Sequence, residues 1–136
     1  MENSNTQLIQ SVYDAFGRGD VPFIASRVRP EARWDFNVTN SDVPWHVPVT
    51  GPAEVPRLLG ALVENVELEA FEPKQFIAMD GEVIAHIRIA YSVKRTGQRV
   101  DQEQLHWWTV RDGKIARLRH FEDTAQVLAA WRGLKS

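Results

Sequence analysis

The sequence predicts an α+β domain built on an antiparallel sheet. Apolar residues recur at helical spacing through much of the first half, and four strand-like runs separated by short glycine-containing turns fill the second. Helices that do not alternate with single strands argue against a parallel βαβ arrangement. At 136 residues the chain is long enough for one domain with a real core and too short for two ordinary ones.

Each element has its own signal. Leu8, Ile9, Val12, Tyr13 and Phe16 mark an amphipathic helix over 6–16, which Asn5 or Thr6 can cap and Gly17 and Gly19 stop. Asp20 can cap a second helix through Pro22, Phe23, Ile24 and Val28, with the proline tolerated in the first turn and the helix ending before Pro30. Residues 33–38 alternate as a strand, with Trp34, Phe36 and Val38 on one face and Arg33, Asp35 and Asn37 on the other. Residues 39–50, TNSDVPWHVPVT, read as a loop carrying bulky side chains, a candidate lid. Thr50 and Gly51 introduce a third helix with Pro52 early and an apolar stripe of Val55, Leu58, Leu59, Leu62 and Val63. Strands over 71–79, 82–94 and 98–110 follow, joined at Asp80-Gly81 and Thr96-Gly97, and a strand from Ile115 to Glu122 completes a meander. Asp123, with Gln126 three residues on, resembles a capping box opening a final helix through Val127, Leu128 and Trp131.

Composition removes several function classes. A formal charge of -2 with acids and bases interspersed gives no reason to expect nucleic acid or an anionic membrane as partner. Without cysteine there is no disulfide framework, thiolate nucleophile or zinc-thiolate site, which fits a cytoplasmic setting. The start MENSNTQ lacks the basic and apolar pattern of a signal peptide, and no apolar run is long enough to span a bilayer. The histidines show no close ligand pair, so no metal is expected.

The chemistry concentrates in residues 104–123, QLHWWTVRDGKIARLRHFED, where two strands flanking Asp112-Gly113 each carry a histidine. A two-residue loop sets His106 opposite Arg119 and sends His120 to the other face, because one step of register flips every side chain. A three-residue loop with a left-handed Gly113 sets His106 opposite Leu118 and makes His120 a same-face diagonal neighbour. Diagonal neighbours lie roughly 7–8 Å apart, leaving room for a water or a substrate atom between two imidazoles.

Four segments in order, VYDAFGRGD (Val12 to Asp20), ARWDF (Ala32 to Phe36), VTGPAEVPRLLGAL (Val49 to Leu62) and VRDGKIARLRHFEDT (Val110 to Thr124), resemble the SnoaL-like branch of the NTF2-like superfamily. That superfamily also holds ketosteroid isomerases, limonene epoxide hydrolases and polyketide cyclases. The resemblance implies a cone: a strongly curved antiparallel sheet with the N-terminal helices packed over its concave face, a deep pocket there, and homodimers formed through the sheet.

The resemblance also locates functional positions. The isomerases' helix tyrosine, first-strand aspartate and late-strand aspartate fall near Val12, Phe36 and His106, with Tyr13 and Asp35 each one residue off and so turned away. The epoxide hydrolases' Arg, Asp and last-strand Asp fall on Ile87, Ile89 and His120, and a one-residue shift offers His86 and Arg88 instead. The cyclases' acid/base carboxylate falls on His120 as well. The alignment turns both histidines inward, selecting the bulged hairpin.

The expectation is therefore a cofactor-free enzyme performing isomerisation, cyclisation or dehydration on a small apolar carbonyl compound. His120 is its principal acid/base and His106 its partner, with coupled titrations. Gln104, Gln102 and Tyr91 supply polar contacts, and Trp34, Phe36, Ile87, Ile89, Trp108 and Leu118 shape the cavity. The alternative is a non-catalytic ligand-binding or dimerisation module. His46 reads as an exposed loop histidine, Asp123 as a cap, and His86, Arg88, Arg117 and Arg119 as residues of the convex face.

Overall fold

The computed structural model describes residues 2–134. Met1, the first residue of the segment read for a signal peptide, lies outside that range, as do Lys135 and Ser136. Helices α1 (Glu2–Arg18) and α2 (Val21–Ser26) are followed by β1 (Val28–Asp35), the short β2 (Val49–Thr50) and α3 (Val55–Asn65). Strands β3 (Val66–Met79), β4 (Glu82–Val93), β5 (Arg99–Arg111) and β6 (Lys114–Phe121) then lead into α4 (Thr124–Arg132). The order is the expected one. Helix α1 starts earlier than its capping signal, so Asn5 and Thr6 sit inside it, and the 39–50 loop contains β2.

One curved, unclosed sheet holds the strands in the order β2-β1-β6-β5-β4-β3. The meander β3 to β6 is antiparallel, as anticipated, but β1 runs parallel to β6, so the sheet is mixed. The reason is connectivity. The last strand slots between β5 and β1, and everything from the loop through β5 serves as the long crossover that a parallel pair requires. Extra residues in β3, at the register shifts between Leu68 and Ala70 and between Pro73 and Gln75, bend it.

Inward-facing side chains of the sheet meet the apolar stripes of α1, α2 and α3. Ile9, Val12, Ile24, Val55 and Leu58 are buried against Val83, Ala85, Ile87, Val100 and Trp108. Loop 39–50 packs down with them: Val43 and Trp45 are buried, and Arg132 of α4 holds Asp42 at 2.9 Å. It forms a wall of the interior. Asp123 caps α4 by accepting from the Gln126 N–H, as its spacing predicted. Among the described residues, no helix is long and apolar enough to cross a membrane.

Candidate active site

The β5–β6 hairpin does something neither sequence alternative contained. Asp112 and Gly113 both have positive φ and form a two-residue turn of the mirror-image type that Asp-Gly favours, pairing Arg111 with Lys114. One step further in, Val110 pairs with Ile115 but Thr109 pairs with Arg117, so Ala116 is an extra residue in β6. This bulge restores the same-face arrangement and sets His106 directly opposite His120, not diagonal to it. Their rings stack with centroids 4.6 Å apart, which leaves no room for a substrate atom between them. On its other side His120 meets Phe36, again at 4.6 Å.

A cavity of about 120 Å³ opens above this floor. His106, His120, Gln104, Tyr91, Trp34, Trp108, Phe36, Ile89 and Leu118 line it, as read from the sequence. Ile87 and Gln102 do not. Ile87 is sealed in the packed core, and Gln102 faces inward but lies under α4, where its amide donates to the Asp123 carbonyl and the Gln126 side chain. Leu58, Leu59 and Leu62 of α3, Phe71 of β3 and Trp45 of the loop complete a mostly apolar wall.

Along β5 the alternate residues 102, 104, 106 and 108 share the inward face and form a directed hydrogen-bond chain. Its direction follows from a backbone group. The Asp123 carbonyl can only accept, so the Gln102 amide nitrogen points to it at 3.2 Å and the Gln102 oxygen accepts from Gln104 at 3.0 Å. The Gln104 oxygen then faces His106 Nε2 at 3.1 Å, which must carry the proton. From the other end, the Trp108 indole N–H donates to the Tyr13 hydroxyl at 3.0 Å, and that hydroxyl donates to His106 Nδ1 at 2.7 Å. Both ends demand the same neutral tautomer. Burial, reinforced by the charge His120 can carry, pushes the His106 pKa well below its ordinary 6.5. With both nitrogens committed, His106 has no lone pair for a substrate, so the reading of it as half of an acid/base pair is replaced by a positioning role.

His120 is held differently. Its Nε2 meets Glu122 Oε1 at 2.8 Å, and among the described residues Nδ1 has no hydrogen-bond partner. The second Glu122 oxygen meets His46 Nε2 at 2.9 Å, and His46 Nδ1 meets the Ser41 hydroxyl at 2.7 Å. The His46 and Glu122 side chains are 0% and 2% exposed, so His46 is a buried member of the site and not the exposed loop residue expected. Burial alone would raise the Glu122 pKa. Hydrogen bonds from His120 and His46, with their charges, outweigh it and bring the carboxyl down to about 2. The site thus contains a carboxylate, on the residue two positions after His120.

Sequence reasoning missed Tyr13, Glu122 and His46 as parts of this cluster. Tyr13 was set aside for lying one residue from a family position, yet its hydroxyl reaches the floor and burial raises its pKa, keeping it protonated. The convex-face residues lie where expected: His86 pairs with Glu103, Arg88 with Asp101, and Arg119 lies over the Trp107 ring. Among the described residues, no cluster of three or more His, Asp or Glu is arranged to hold a metal ion.

Comparison with known proteins agrees with this architecture. The family model of the SnoaL-like domain matches residues 9–118. An NTF2-like protein from Burkholderia xenovorans LB400 superimposes with a TM-score of 0.86 at 25% identity, covering 96% of this chain and 97% of that one. A protein named as a SnoaL-like polyketide cyclase, from Jannaschia sp. CCS1, gives 0.80 at 18% identity over 99% and 96% of the two chains. TerC, crystallised with polyporic acid, gives 0.80 at 22% identity over 95% and 98%. No curated protein is similar enough in sequence to match.

The neutral His106 carries a pH signature. Its folded-state pKa lies below 6.5, so its contribution to stability is complete above that value and drains away as pH falls below it, while the unfolded chain takes up a proton. Each pH unit in that window removes up to about 1.4 kcal/mol. Urea unfolding of the wild type and His106→Gln between about pH 7.5 and 5.5 should show a shallower loss in the variant. Parallel slopes would mean that His106 titrates normally in the folded protein.

Proposed function

Because the chain belongs to the SnoaL-like family, we propose that it is an enzyme performing acid/base chemistry on a small apolar carbonyl compound, without a cofactor. The reaction class is isomerisation, cyclisation or dehydration, all of which begin by removing an acidic proton beside a carbonyl. The observation that carries the reading is His120: one ring nitrogen tied to a buried carboxylate, the other without a protein partner, on the wall of an apolar cavity.

With Nε2–H donated to Glu122, neutral His120 presents a lone pair at Nδ1. An imidazole lone pair is the commonest general base of enzyme sites. When Nδ1 takes the proton, the imidazolium formed already faces the Glu122 carboxylate, whose attraction is strong in a site this dry. His46 holds the far oxygen of that carboxylate and so fixes the direction in which it points. His106, stacked on His120 and locked neutral, packs the ring without competing for the proton. Gln104 lines the cavity but spends its amide on the β5 chain, which removes it from the groups free to meet a substrate.

The non-catalytic alternative uses the same cavity, and turnover separates the two. For any carbonyl compound whose α-proton the protein exchanges in D2O, His120→Gln should cut the rate by about 10²–10⁴. An unchanged rate in a folded His120→Gln protein would leave a binding module as the better account.

Assembly is proposed on a separate observation. Leu105, Phe121, Ile77 and Met79 are exposed on the outer side of the sheet, around Trp107. We propose a homodimer through this face. Sedimentation should report twice the 15.5 kDa chain mass, reduced to one chain by Leu105→Glu; a monomeric wild type would overturn it.

A further inference from the structure

The cavity wall carries a hydroxyl that the acid/base cluster does not use. Tyr91 of β4 is 4% exposed and lines the cavity, and among the described residues its hydroxyl neither donates nor accepts a hydrogen bond. Its ring stands edge-on to Trp45, 6.1 Å away, and the strand fixes it from behind. The hydroxyl is not one of the fully buried polar atoms, so it is open to the cavity and placed to donate to an acceptor that arrives with a ligand. The Trp34 indole N–H is also without a partner but is fully buried, and the remaining groups are committed: the Tyr13 hydroxyl to His106 and Trp108, His106 to Tyr13 and Gln104, and Glu122 to two histidines.

The size of the space narrows the ligand further. At about 120 Å³ it is slightly smaller than the roughly 150 Å³ apolar cavity that holds a single benzene ring. The space matches a single ring in size.

We propose that the substrate is a one-ring ketone whose carbonyl oxygen accepts a hydrogen bond from Tyr91 while its α-carbon faces His120. This rests on the acid/base reading of His120 and names the substrate class for it. The step balances within the site. His120 Nδ1 takes the α-proton, the C–H electron pair becomes the new C=C bond, and the carbonyl π pair moves onto oxygen. That enolate oxygen carries the developing charge, and the Tyr91 O–H is the donor placed to receive it. Burial, and secondarily the negative charge of Glu122, raise the Tyr91 pKa, so the hydroxyl keeps its proton and acts as a donor. Return of a proton to the same carbon gives exchange with solvent, and return to a conjugated carbon gives isomerisation.

The test uses the intact protein with three probes: cyclohexanone, methylenecyclohexane, which has the same shape without the oxygen, and 2-decalone, which has two fused rings. Cyclohexanone should bind about tenfold more tightly than methylenecyclohexane to the wild type, and Tyr91→Phe should erase that preference while still binding the hydrocarbon. In D2O the α-proton exchange of cyclohexanone should fall by about 10²-fold in Tyr91→Phe, the usual effect of removing one oxyanion donor. 2-Decalone should bind at least tenfold more weakly than cyclohexanone, against the trend that added apolar area would give. Equal affinity for ketone and hydrocarbon, exchange unaffected by Tyr91→Phe, or tight binding of 2-decalone would each overturn the proposal. Exchange that survives His120→Gln would instead strike the acid/base reading beneath it.

Discussion

The hydrogen-bond chain along the inner face of β5 is the constraint on which the site depends. It begins at a backbone carbonyl at the α4 cap, passes through Gln102 and Gln104 to His106, and meets a second chain from Trp108 through Tyr13. Each member has one role left once its neighbour is fixed, so the chain has a single direction. A chain of that kind in a dry interior is stiff, because reversing any amide would set donor against donor or acceptor against acceptor. Helix α1, the sheet and α4 are tied together through it. The same chain fixes the tautomer of His106, and burial keeps that ring neutral where it lies in contact with His120.

What remains free is then sharply limited. His120 is gripped by Glu122 at one nitrogen, and Glu122 by His46, so the loop that carries His46 belongs to the site as much as the sheet does. Two stacked histidines that look symmetrical in sequence have opposite duties: one is locked and one is available. The difference is made by their neighbours two residues away on the same strand faces, glutamine beside one and glutamate beside the other.

The fold was legible because its signals are local. Helical stripes, Asp-Gly turns and strand alternation need only a few residues each, and all pointed the same way. The parallel β1–β6 pair was not, since it joins strands separated by most of the chain. The bulge left a trace that can be read in retrospect. Ile115 and Leu118 are both buried yet three apart, which strict alternation forbids and one extra residue permits. In the site, the series Gln102, Gln104, His106, Trp108 and the pair His120, Glu122 follow the period of a strand and were open to inspection. Tyr13 was discounted by one-residue reasoning about helix rotation, although the buried stripe of α1 is wide enough to bring both Val12 and Tyr13 inward. His46 left no such trace, because a loop has no period, and only the folded chain brings it to Glu122.

The central claim is that the paired imidazoles are inequivalent, and imidazole ¹⁵N spectroscopy reads it directly. At neutral pH the account predicts that His106 is protonated at Nε2 alone and stays so as the solution is acidified through the ordinary histidine range. His120 should hold its proton at Nε2, toward Glu122. A His106 that carries its proton at Nδ1, or becomes an imidazolium within that ordinary range, would contradict the account.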